Sequence, residues 1–125
     1  MCLNVINDTL ISGSNDNTLR LWETTTPCTL ENSRELHFKS PRLSIFAHEG
    51  AVRSIAVRDN LVFTSSNDNT VKAWHMTQSQ SSHTQLDYLY TVQSHDAQVG
   101  ACVATSTHLT TVSMDGSVVV HEYET

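Results

Sequence analysis

The chain has 125 residues, 38% of them hydrophobic and 16% charged, which fits a folded domain with a modest core better than a disordered or membrane-embedded chain. No apolar run approaches the roughly 18–20 residues that a membrane helix needs, and the first eight residues lack the basic segment and apolar stretch of a secretory signal. The formal net charge of −6 opposes phosphate backbones, so nucleic acid is not expected as a partner.

In chain order, short apolar-rich runs alternate with turns. Strands are expected at 1–5, 10–14 and 18–22, and a polar turn, Ser14-Asn15-Asp16-Asn17-Thr18, separates the last two. Residues 24–40 are rich in Thr, Ser and Pro and read as a loop. A strand at 43–47 runs up to His48. Strands at 52–57 and 61–65 then flank the polar turn Arg58-Asp59-Asn60, and a strand at 70–75 places Val71 and Ala73 on one face. Residues 77–85 read as a second loop, followed by a strand at 86–93 in which Tyr88 and Tyr90 alternate with Leu89 and Thr91. No stretch sustains a helical period, so the fold class is all-β.

These elements repeat. The pentapeptide at Ser14–Thr18 returns unchanged 52 residues later as Ser66-Asn67-Asp68-Asn69-Thr70, and a weaker copy, Ser113-Met114-Asp115-Gly116-Ser117, follows after another 47. Leu19 and Leu21 match Val71 and Ala73, then Val118 and Val120, while Trp22 and Trp74 are matched by His121. His48 and His95 each stand 20 residues before their aspartate, and Val52 and Val99 follow them by four. The fourth turn position carries Asn17, Asn69 and Gly116, the residue types that best accept positive φ, so a left-handed conformation is expected there.

Catalytic and metal readings are weak. His48, Thr64 and Asp68 have the types of a triad, but an internal threonine is a poor nucleophile and no oxyanion-hole motif accompanies it. The histidines show no ligand spacing, and His37, His83 and His108 read as exposed loop residues. Cys2, Cys28 and Cys102 form no CxxC motif and read as reduced thiols of an intracellular protein. No glycine-rich phosphate loop is present, and no cofactor is expected. Asn7-Asp8-Thr9 fits a glycosylation acceptor but reads as a turn. Ser40-Pro41, between Lys39 and Arg42, reads as a loop end rather than a phosphorylation site.

A histidine near the start of each unit, a Ser or Thr in its second strand, an aspartate in the next turn and a tryptophan ending the third strand resemble the WD-repeat β-propeller family. The resemblance spans nearly the whole chain. It implies a buried hydrogen-bond chain from Trp to Ser/Thr to His to Asp. The middle unit supplies His48, Thr64, Asp68 and Trp74. The first supplies Ser12, Asp16 and Trp22, because counting back 20 residues from Asp16 passes Met1. The third supplies His95, Thr111 and Asp115, with His121 in place of the indole. The expected architecture is an arc of about three blades of three to four antiparallel strands, not a closed ring. The blades are placed at 1–47, 48–93 and 94–125, the last lacking its outer strand.

The implied function is a protein-interaction scaffold without catalysis of its own. A substrate-recognition part of a ubiquitin ligase, or a subunit of an RNA or chromatin complex, is the alternative. The expected partner-facing rim comprises Asn15, Asn67 and Met114 from the turns, with Glu49, Ala51, Asp96 and Gln98 from the loops after the histidines. Partners are other proteins, the remaining blades or a second copy, and the expected location is the cytoplasm or the nucleus.

Overall fold

A computed structural model describes residues 1–6, 9–23, 43–78, 84–92 and 95–122. Eleven strands make three antiparallel sheets. The first holds β1 (Cys2–Ile6), β2 (Thr9–Gly13), β3 (Thr18–Glu23) and β4 (Leu43–Phe46). The second holds β5 (Val52–Arg58), β6 (Leu61–Ser66), β7 (Val71–Gln78) and β8 (Thr84–Val92), and the third holds β9 (Val99–Ala104), β10 (His108–Ser113) and β11 (Val118–Glu122). Each sheet is a meander, every strand pairing with the one before it, and no helix occurs among the described residues. The architecture is a partial propeller of three blades that do not close into a ring.

Tight turns set this topology. In all three units the backbone N–H of the fourth turn residue donates to the carbonyl of the first, at 3.3 Å for Asn17 to Ser14, 3.3 Å for Asn69 to Ser66 and 3.0 Å for Gly116 to Ser113. Those residues have φ of 74°, 72° and 87°, the left-handed region expected at each. Asp59, in the turn between β5 and β6, also has positive φ, at 53°.

The innermost strands β1, β5 and β9 lie side by side, β5 in the middle. Two apolar layers result. Between the first and second blades lie Ile6, Ile11, Leu19 and Leu21 from one side and Ile55, Val62, Trp74, Met76 and Leu86 from the other. Between the second and third lie Ala56, Phe63, Val71 and Ala73 against Val99, Cys102 and Leu109. Val62, Thr64 and Trp74 therefore face the first blade, and Phe63 and Ala73 face the third, as strand alternation requires. Burying these side chains stabilises the arc by roughly 25 cal/mol per Å² of apolar surface removed from water.

Polar contacts lock the layers. Asn4 Nδ2 donates to the Ile55 carbonyl at 2.9 Å. Ser54 Oγ accepts from the Cys102 backbone at 2.8 Å and sits 2.6 Å from Ser65 Oγ and 3.3 Å from Cys102 Sγ. Burial pushes the Cys102 thiol up, which keeps it protonated and able to act as a small core side chain.

The structure corrects three expectations. Residues 77–85 are not all loop: β7 runs through Gln78 and β8 begins at Thr84, with Gln78 opposite Thr84. Their Thr- and Gln-rich composition reads as loop, yet the outer hairpin needs little apolar burial, and among the described side chains of β8 only Leu86 is buried. His108 is half-buried at the start of β10 rather than in a loop, with its Nδ1 2.7 Å from Thr107 Oγ1. Ala47 falls just past β4, its N–H donating to the Asn17 carbonyl at 2.9 Å. The expectations on residues 24–40, His37, Ser40-Pro41, His83, Cys28, Gln93 and the pair Asn7-Asp8 lie outside the described residues.

Candidate functional site

The middle blade brings four sequence-selected residues together. Trp74 Nε1 donates to Thr64 Oγ1 at 2.9 Å, and Thr64 Oγ1 lies 2.7 Å from His48 Nε2. His48 Nδ1 is 2.9 Å from Asp68 Oδ2. One proton assignment satisfies the whole chain: the indole N–H donates to the hydroxyl, the hydroxyl donates to Nε2, and Nδ1–H donates to the carboxylate. His48 and Thr64 are fully buried, where an unpaired polar group is costly, so each link stabilises its neighbours.

The electrostatics agree with a neutral imidazole. Burial holds the His48 pKa below its ordinary 6.5, although the Asp68 carboxylate pulls the other way. Burial alone raises the Asp68 carboxyl, but the Thr70 hydroxyl and His48 outweigh it, and the net shift is downward. The contact between His48 and Asp68 is thus a hydrogen bond from a neutral ring to an ionised carboxylate. With the ring fully buried and its base nitrogen held by Thr64, no face is left for a substrate.

Asp68 is also a turn organiser. Its Oδ1 accepts from the Thr70 backbone at 3.0 Å and from Thr70 Oγ1 at 2.5 Å, and its Oδ2 accepts from the Glu49 backbone at 3.2 Å. Thr70 Oγ1 lies 3.2 Å from His48 Nδ1 as well. Thr70 lies within the repeated pentapeptide, where spacing alone assigns it no role. The invariance of a hydroxyl at Thr18, Thr70 and Ser117 was the available signal.

The outer blades differ. In the first, Trp22 Nε1 donates to Ser12 Oγ at 2.9 Å, while Asp16 binds Thr18 and pairs with Arg20 at 2.7 Å. The Thr18 hydroxyl, above all, lowers the Asp16 pKa. In the third, His95 Nε2 lies 2.7 Å from Thr111 Oγ1, but its Nδ1 meets Ser117 Oγ at 2.8 Å rather than a carboxylate. Asp115 Oδ1 accepts from that same Ser117 hydroxyl at 2.6 Å, so Asp115 reaches the ring only through Ser117. His121 takes the indole's place opposite Leu109, and its buried Nε2 has no hydrogen-bond partner.

These networks fix one rim of the arc. The turn of the first blade bonds to the loop after β4, through Asn17 O to Ala47 N and Ser14 O to Val52 N at 3.0 Å. That loop bonds to the next turn, Asn67 N donating to Ala51 O at 3.0 Å. Asn69 Nδ2 reaches Asp96 O at 3.5 Å, and Met114 N donates to Gln98 O at 2.8 Å. Turns and loops thus alternate in one hydrogen-bonded series carrying all seven residues expected on the rim. Asn15, Glu49, Asp96, Gln98 and Met114 are exposed, and Asn67 and Ala51 are half-buried. Among the described residues no group of three or more His, Cys, Asp or Glu is placed to hold a metal ion, and no helix is long and apolar enough to cross a membrane.

A family model described as WD domain, G-beta repeat matches residues 1–23 and 39–75. These stretches take in β1 to β3 and continue from β4 to the Trp74 end of the buried chain. Residues 95–122 lie outside the match, although they build the same turn and the same three inner strands. No curated protein matches the chain.

Proposed function

The chain belongs to the WD-repeat family, whose members generally mediate protein–protein interaction, and from that premise we propose that it is a scaffold that holds a partner protein on the rim of its turns and is not itself an enzyme. The observation that carries this reading is the continuous hydrogen-bonded rim, which holds exposed side chains from all three blades in fixed relation. A binding surface on a rigid scaffold loses little conformational entropy when a partner docks.

The chemistry of the rim favours a particular kind of partner. Asp16, Glu49, Asp96 and Asp115 present exposed carboxylates, and Met114 is 67% exposed among them. A basic protein segment with an apolar side chain for Met114 is complementary to this surface. Thioethers adapt readily to varied apolar partners, while the carboxylates contribute association rate and orientation.

Affinity capture with the wild-type chain and two variants tests the proposal. Glu49→Lys with Asp96→Lys reverses charge on the rim, and Asn60→Lys alters the opposite end of the second blade. A partner that is lost from the rim variant and kept by Asn60→Lys supports the reading. Equal capture by both variants would place binding elsewhere.

A further inference from the structure

The two blade boundaries match position by position. At the first, Val62 and Trp74 stand directly opposite each other across β6 and β7 and pack against the first blade. The Trp74 indole is 4% exposed, so that place is filled. At the second, Leu109 and His121 hold the same register position across β10 and β11. An imidazole lacks the six-membered ring of an indole, and the facing blade sets Ala73 where the first blade has Leu21. Phe63 in place of Ile11 returns part of that bulk.

A cavity of about 530 Å³ lies at this place, between the second and third blades. Buried Phe63 and Leu109 lie at its base, His121 lines one side, and Arg58, Leu61 and Tyr90 line the other. Small-molecule sites commonly span about 300–1,000 Å³ with mostly apolar and aromatic linings. Within the fold, His121 gains nothing for the bulk it lacks. Trp74 Nε1 donates to Thr64, whereas the buried Nε2 of His121 meets no partner. An unfilled space and a stranded nitrogen both destabilise a boundary between blades. A local packing rule broken without a gain inside the fold is characteristic of a functional site.

We propose that this cavity binds a small planar aromatic molecule, a fused ring of the size of indole or somewhat larger, between His121 and the wall of Arg58 and Tyr90. An apolar cavity left by a missing ring takes up a free ring of matching size. The lining chemistry selects the ring type. Arg58 Nε donates to the Ser106 carbonyl at 3.2 Å, which holds the guanidinium beside the cavity, and a guanidinium favours the face of an electron-rich ring. Phe63 and Tyr90 add aromatic edges and faces. At the first boundary the protein supplies such a ring itself, the Trp74 indole meeting Tyr88 edge to face at 5.6 Å and 73°. Arg58 and Leu61 flank the turn at the end of the second blade opposite the rim, so the site does not rest on the scaffold reading.

Free indole is the probe, titrated into the chain and followed by backbone amide NMR. Saturable shifts at Phe63, Leu109 and His121 are expected, with a Kd of about 1 mM or below. Cyclohexanol, saturated and not planar, should bind at least about tenfold more weakly. His121→Trp fills the cavity from one side and offers an indole N–H toward Thr111, so it should raise Tm and abolish the indole shifts. Leu61→Trp fills it from the other side at a half-buried position and should abolish them too, which keeps the test open if the first variant does not fold. Absence of saturable shifts in the wild-type chain would overturn the proposal. So would equal binding of cyclohexanol, shifts centred away from these residues, or unchanged indole binding in a folded variant.

Discussion

Replacing Thr64 with valine removes one hydroxyl and keeps the side chain's shape. That hydroxyl joins the Trp74 indole, 2.9 Å away, to the His48 ring, 2.7 Å away, at a position with no solvent access. The substitution therefore strands two buried groups: an indole N–H without an acceptor and an imidazole nitrogen without a donor. Each stranded group costs about 1–3 kcal/mol, so a combined loss of about 2–4 kcal/mol is expected once partial relaxation is allowed for. For a chain of this length that lowers Tm by on the order of 10 °C. The assay is thermal unfolding by circular dichroism, with urea unfolding at 25 °C to confirm that the slope is unchanged. Thr111→Val is the internal comparison and loses less, because the third blade has His121, opposite Leu109, where the middle blade has the Trp74 indole. An unchanged Tm for Thr64→Val, or an equal fall for the two variants, would refute the view that the hydroxyl is the hub of the middle blade.

Three further outcomes follow from the same geometry. His48 has a folded pKa below its ordinary 6.5, so the unfolded chain binds the proton more readily; urea midpoints should hold steady above about pH 6.5 and fall as the pH drops through and below that value. Asp68, also lowered, adds a loss of the same sign as the pH falls through the carboxylate range, so a rise in midpoint on going from pH 7 to pH 5 would contradict the first and a rise on going below about pH 4 the second. Gly116→Ala meets no atom within 4 Å but holds alanine at φ of +87°, and it should cost about 1–2 kcal/mol in denaturant unfolding, whereas Asn69→Gly, at a φ of 72°, should cost little. Gly50→Ala would set a methyl 2.8 Å from the Asp68 backbone nitrogen; the expected result is a lower unfolding midpoint and faster amide exchange at Glu49, whose N–H is held by Asp68.

Much of this fold was legible in the residues themselves. The turn pentapeptide contains its own hydrogen-bonding groups, so Asn17, Asn69 and Gly116 could be assigned a left-handed backbone from local sterics alone. The histidine, threonine, aspartate and tryptophan of the middle blade were legible for a related reason. Their spacing repeats: a strand's period of two brings Thr64 and Trp74 to one face, and the loop and turn beside it carry His48 and Asp68. Strand limits were less legible where composition misleads, as in the Thr- and Gln-rich ends of β7 and β8, which pair through their backbones at an edge that asks little of side chains.

Other features depended on tertiary structure, because they join residues far apart by distances that no local pattern encodes. Ser54 meets Cys102 across 48 residues of chain, and only the packing of β5 on β9 brings them together. The third blade shows the finer limit. Asp115 keeps the same place in the repeat as Asp68, yet the Ser117 hydroxyl lies between it and the ring of His95. Sequence spacing determines which residues share a corner of the blade. Which of them touch is decided by how the strands and turns seat against their neighbours, and in the third blade a hydroxyl stands where the middle blade has a carboxylate.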